Sequence, residues 1–232
     1  MGLIKVLALP GTVALALLTM STGLVSSASA APCSDIEVVF ARGTHEAPGV
    51  GPTGEAFIDA LRPQIGSQSL SVYPVQYPAT DQWATGVDGI RDASARILST
   101  AETCPDTKVV LGGYSQGAAV AGFVTSADVP TGVDPATVPK PLEPEVADHV
   151  AAVVLFGLPN VRAMNFLGEP PVVIGPLYES KTRQLCAFDD PVCSDGLNFA
   201  AHNPNTYNGD LTNQGAAFAA GHLNATPQLM AG

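Results

Sequence analysis

Five short runs rich in valine, leucine and isoleucine, each followed by a longer segment, constrain this fold more than any other feature of the chain. They cover residues 36–41, 70–77, 108–111, 150–156 and 182–187. Residues 109–111 and 150–156 lack polar alternation and read as strands covered on both faces. The segments between the runs carry helical spacing. Phe57, Ile58, Leu61 and Ile65 form one apolar stripe, and Val87, Ile90, Ala93, Ile97 and Leu98 form another. A third stripe begins at Ala118 and a fourth follows Thr212. Alternating strand and helix implies a parallel sheet with helices on both faces. The expectation is an α/β fold, a three-layer sandwich on a five-stranded parallel sheet, with chemistry at the carboxyl ends of the strands. Glycine marks three of those ends, at Gly43, Gly112-Gly113 and Gly157. Two connections are long. Residues 128–145 hold five prolines and are expected to be irregular. Residues 157–175 carry Met164, Phe166 and Leu167 and read as a loop, its apolar side chains either satellite packing or a wall beside an acyl chain.

The amino end bears on compartment. Lys5 is the only early charge, residues 6–20 are almost wholly apolar or small, and Ala28-Ser29-Ala30 suits a signal peptidase. Pro10 and Gly11 interrupt the run, which falls short of the roughly 20 apolar residues of a membrane span. Residues 1–31 are therefore expected to be a signal peptide and 32–232 a single exported domain, with no later segment apolar enough to cross a bilayer. The formal charge of −11 argues against nucleic acid and anionic membrane surfaces as partners. Four cysteines, Cys33, Cys104, Cys186 and Cys193, imply two disulfides in an exported chain. Their spacing does not suit zinc, so no metal is expected.

Gly113-Tyr114-Ser115-Gln116-Gly117 stands between a predicted strand and a predicted helix. That is the context of a nucleophile elbow, where a sharp turn lifts the serine hydroxyl out at the sheet edge. The helix N-terminus behind the serine favours negative charge developing on a substrate oxygen. A serine hydroxyl needs a base to take its proton, and in this fold type acid and then histidine follow the serine in the chain. His149 leads into a strand from the wrong end, and His222 lies in the last helix. His202, in a Gly/Asn/Pro-rich loop after the last strand, is the expected base. The acid belongs just beyond that strand, where Asp189 and Asp190 both qualify; sequence physics does not separate them. Gln116 is expected to supply one oxyanion N–H, and Thr44, in the loop after the first strand, the second. His45 beside it reads as an exposed loop residue. If the first and third strands are parallel neighbours, Cys33 and Cys104 lie at adjacent amino ends and should pair, leaving Cys186 and Cys193 to close the acid loop.

These motifs resemble the cutinase family, in particular its mycobacterial cutinase-like members, over essentially the whole mature chain. The resemblance rests on residues 39–44 (VFARGT), 113–117 (GYSQG) and 186–193 (CAFDDPVC), with His202 behind them. It implies that Asp190, three residues before the second cysteine of its loop, is the acid. It further implies a site without a cap domain that cleaves esters of short to medium acyl chains. No cofactor is expected. The expected partner is an ester or lipid substrate, and the expected state is a secreted monomer, in the medium or at the cell wall. The rival readings are the same serine machinery acting as phospholipase, thioesterase or acyltransferase, or a secreted binding protein or antigen without turnover.

Overall fold

The computed structural model describes Gly2 and residues 33–225. The expected signal peptide at 1–31 lies outside the described residues, apart from Gly2. Residues 33–225 form a five-stranded, fully parallel sheet of β1 (Ile36–Ala41), β2 (Leu70–Pro74), β3 (Lys108–Tyr114), β4 (Val150–Phe156) and β5 (Thr182–Leu185), in the order β2-β1-β3-β4-β5. The helices are α1 (Gly51–Leu61), α2 (Gly86–Thr103), α3 (Gln116–Val124), α4 (Pro144–Ala147), α5 (Val161–Leu167), α6 (Pro176–Glu179), α7 (Pro204–Tyr207) and α8 (Asp210–Asn224).

The two-residue period of the strands sorts their side chains into two cores. Ile36, Val38 and Phe40 of β1, with Val154 and Phe156 of β4, face Phe57 and Leu61 of α1 and Ala216 and Ala219 of α8. Val39 and Ala41 of β1, with Val153 and Leu155 of β4, face Ala93 and Ile97 of α2 and Ala118 to Ala121 of α3. The result is three layers: α1 and α8, the sheet, then α2 and α3. Both faces of β1 and β4 are covered, which explains why β4 is apolar throughout and β1 is apolar except for Glu37, a buried carboxylate that accepts from Arg96 and Thr100.

Several elements differ from the sequence expectation, and β5 ends at Leu185 rather than at residue 187. Strand β2 stops at Pro74 rather than Tyr77: the Val75 N–H still donates to the Phe40 carbonyl, but the Val75 and Tyr77 carbonyls beyond it are taken by the Arg42 side chain instead of a neighbouring strand. Strand β3 runs on through Gly112 and Gly113, which pair with Phe40 and Ala41 of β1, instead of turning there. The 157–175 connection contains α5, a two-turn helix capped at its start by Asn160, whose side chain accepts from Ala163 N–H, and closed by Gly168 at φ 75°. So short a helix shows too few apolar positions to reveal a period.

Both disulfides form. Cys33–Cys104 joins the segments before β1 and β3, whose register aligns Ile36 with Lys108. Cys186–Cys193 closes the short loop after β5. Their loops differ roughly tenfold in length, with sequence separations of 71 and 7. Chain-entropy arithmetic gives about 4.4 kcal/mol for the long loop and about 2.5 kcal/mol for the short one. Replacing Cys33 and Cys104 by alanine should therefore lower the melting temperature more than replacing Cys186 and Cys193. Calorimetry of the two double variants checks this, and equal losses would contradict it.

Candidate active site

The turn after β3 is built by two glycines. A Cβ on Gly113 would lie 2.1 Å from the Gly117 carbonyl oxygen, and one on Gly117 would lie 2.0 Å from the Ala41 carbonyl oxygen. Only hydrogen fits at either place, so strand, turn and the start of α3 pass in contact. Between them Ser115 adopts φ 54°, ψ −119°, outside the regions open to ordinary residues. Its N–H donates to the Phe156 carbonyl at the end of β4, fixing the turn to the next strand. The hydroxyl is thereby held up at the carboxyl edge of the sheet.

The 186–203 segment brings the other two expected residues to this edge. His202 follows a short 3-10 turn over Phe199–Ala201 and precedes α7. Its Nε2 lies 2.7 Å from Ser115 Oγ, and its Nδ1 lies 2.7 Å from Asp190 Oδ2. Asp190 is fully buried, and its second oxygen, Oδ1, accepts from Val192 N–H at 2.8 Å. Asp189 points elsewhere. It has φ 62°, is exposed, and its Oδ1 accepts from Leu197 N–H at 3.1 Å. The two neighbouring carboxylates thus have separate partners, Asp190 on His202 and Asp189 on the Leu197 N–H. Arg162 of α5 donates to the Pro191 and Ser194 carbonyls, bracing the loop from outside.

Tyr207 was not singled out by the sequence. It is fully buried, and its hydroxyl donates to Asp190 Oδ2 at 2.5 Å. Burial, reinforced by that carboxylate, raises its pKa and keeps the phenol protonated as a donor. Tyr114 stacks on the His202 ring at 5.4 Å, and Tyr207 packs edge-on to both rings. The only sequence signal for Tyr207 was a large aromatic five residues after His202, too common a pattern to identify it.

Gln116 is the first residue of α3, where a backbone N–H has no intrahelical acceptor. Its buried side chain is a strut: Oε1 accepts from the Thr44 hydroxyl at 3.3 Å, and Nε2 donates to the Thr80 carbonyl at 3.0 Å. The loop of Thr44 is held from below by Arg42, which donates to the Glu46 and Tyr77 carbonyls. Glu46 Oε2 accepts from Gly43 N–H at 2.7 Å, whereas Oε1 is buried without a protein partner. Burial pushes the Glu46 carboxyl above its usual range, with the Gly43 bond and the Arg42 charge acting against it. An acid whose folded pKa is raised supports the fold fully below its unfolded pKa, and that support is lost as pH rises through the folded value. Glu46→Gln keeps an acceptor for Gly43 without a charge to desolvate. Its melting temperature relative to the parent should therefore be higher at about pH 8 than at about pH 4; the reverse order would contradict the burial argument.

The remaining histidines stand apart. His149 lies at the amino end of β4, His222 packs on Phe218 at 4.6 Å, and the exposed His45 reaches Asp81 at 2.9 Å. The sulfurs of Cys186 and Cys193 approach Asp190, but both are held in their disulfide. Among the described residues no helix is long and apolar enough to cross a membrane.

A parallel sheet flanked by helices, with a serine on a strained strand-to-helix turn, defines the α/β-hydrolase fold. The chain belongs to the cutinase family, whose model matches residues 32–223. It is 57% identical over 169 residues to the probable carboxylesterase Culp5 of Mycobacterium tuberculosis, covering 73% of this chain and 96% of that protein. It is 47% identical over 226 residues to the carboxylesterase Culp1 of Mycobacterium bovis, covering 96% and 97%. Among solved structures it is similar to Trichoderma reesei cutinase in complex with a phosphonate inhibitor, at 28% identity and TM-score 0.59, covering 84% of this chain and 78% of that one.

Proposed function

We propose that this protein is a secreted serine esterase that hydrolyses carboxylic esters of short- to medium-chain acyl groups through an acyl-enzyme. The observation that carries the reading is the unbroken hydrogen-bonded line from Ser115 Oγ through His202 to the buried Asp190. Ser115 Oγ attacks the ester carbonyl carbon while His202 Nε2 takes its proton. Asp190 holds the Nδ1–H tautomer and stabilises the imidazolium without accepting the proton. The N–H groups of Gln116 and Thr44 face the developing oxyanion. His202 then protonates the departing alcohol. Water enters, gives its proton to His202 and attacks the acyl carbon, and the carboxylic acid leaves with Ser115 restored.

Three further observations support this reading. The relatives named carboxylesterases cover most of the chain. Phe188, Leu197 and Phe199, on the loops carrying Asp190 and His202, are 95%, 81% and 76% exposed, an apolar rim suited to an apolar ester. The two disulfides accord with export. A series of p-nitrophenyl and glyceryl esters of increasing chain length, with a phospholipid included, tests the assignment. Hydrolysis of the simple esters is expected, and turnover confined to the phospholipid would replace esterase by phospholipase.

A further inference from the structure

Behind Gln116 lies a cavity of about 200 Å³ between α2 and α3, roofed by the proline-rich 128–141 segment. We propose that this cavity receives the acyl chain of the substrate, making the proline-rich segment the roof of an acyl tunnel. The inference rests on the serine esterase reading above.

The geometry of α3 leads to it. Gln116, Ala119, Val120, Phe123 and Val124 line the cavity, at the i, i+3, i+4, i+7, i+8 spacing of one helical stripe. Val87, Ile90 and Ser94 of α2 answer them across the gap at similar spacing. Val129, Pro130, Val133, Val138 and Pro139 close it from above. Prolines suit that position, because they hold an irregular roof with little chain entropy left to lose. Charged side chains are few among the lining residues: Asp128, Lys140 and Glu169. An apolar cavity of roughly 150 Å³ accepts a benzene molecule, so this one accommodates more hydrocarbon than that.

Two placements assign it to the acyl chain rather than to the alcohol. The stripe starts at Gln116, the residue after Ser115 and the proposed oxyanion donor, so one end of the cavity lies beside the nucleophile's own neighbour in the chain. The leaving alcohol takes its proton from His202 and so departs toward the 186–203 segment, which contributes no lining residue. The acyl chain, still attached to Ser115, takes the other direction. The eight steps from Gln116 to Val124 rise about 12 Å, the reach of an extended chain of about ten carbons.

The test compares kcat/KM for p-nitrophenyl decanoate and acetate in the parent, in Ala119→Leu, which narrows the cavity at its floor, and in Val133→Phe, which fills it from the roof. The ratio of decanoate to acetate should fall at least tenfold in both variants, the effect of excluding about two methylenes. Any general disturbance of the elbow cancels in that ratio. A second arm needs no turnover. Trp83, the only tryptophan of the chain, lines the cavity. Decanoate added to Ser115→Ala should shift its fluorescence saturably, and Ala119→Leu in that background should weaken the binding about tenfold. An unchanged ester ratio, or a Trp83 response indifferent to Ala119→Leu, overturns the acyl assignment. Decanoate binding at Trp83 in a protein that hydrolyses neither ester would instead sink the esterase reading and keep the cavity.

Discussion

Ser115→Ala should lower kcat for p-nitrophenyl esters by roughly 10⁵- to 10⁶-fold, because the members of such a hydrogen-bonded unit act together and the nucleophile is indispensable. The fold should survive. Alanine inherits the φ of 54° without adding bulk, and the Ser115 N–H bond to the Phe156 carbonyl is untouched. The expected melting temperature is within a few degrees of the parent, since strain at such a position costs about 1–3 kcal/mol in either protein. Steady-state kinetics beside a thermal melt separates loss of chemistry from loss of structure. A well-folded alanine variant retaining a tenth of the parental rate would rule out Ser115 as nucleophile.

The second large effect distinguishes neighbours. Asp190→Asn should cost about 10⁴ in kcat, because an amide at that place holds the wrong imidazole tautomer. Asp189→Asn should change kcat less than about tenfold, since its side chain accepts from Leu197 N–H and makes no bond to His202. Asparagine also tolerates the φ of 62° there, so the loop keeps its course. The comparison is internal: the two substitutions are chemically identical and adjacent, and differ in burial and in the partners of the side chain. A larger loss in Asp189→Asn than in Asp190→Asn would transfer the acid role.

The sheet and its helices were legible because burial on both faces leaves a sequence mark. The 150–156 run is apolar throughout, the 36–41 run is apolar except for Glu37, and helical stripes lie between the predicted strands. The elbow was legible for a similar reason: Gly113 and Gly117 are required by contacts near 2 Å that no side chain survives. Direction was not legible. Asp189 and Asp190 differ in the structure by a left-handed φ that composition does not announce; only the family resemblance favoured Asp190. Tyr207 lay beyond reach because its part depends on a bond to a residue 17 positions away. The proline-rich segment was expected to be irregular, but its place over α2 and α3 is a tertiary fact without a local pattern.

The central claim is a covalent one: the acyl group passes through Ser115. Acid-quenching the protein within the first turnovers on a p-nitrophenyl ester, then weighing it intact and mapping its peptides, tests this most directly. The account predicts one acyl group per chain, located on Ser115 and absent from Ser115→Ala, accompanied by a matching burst of p-nitrophenol. A modification at any other residue, or steady hydrolysis with neither burst nor adduct, would contradict it.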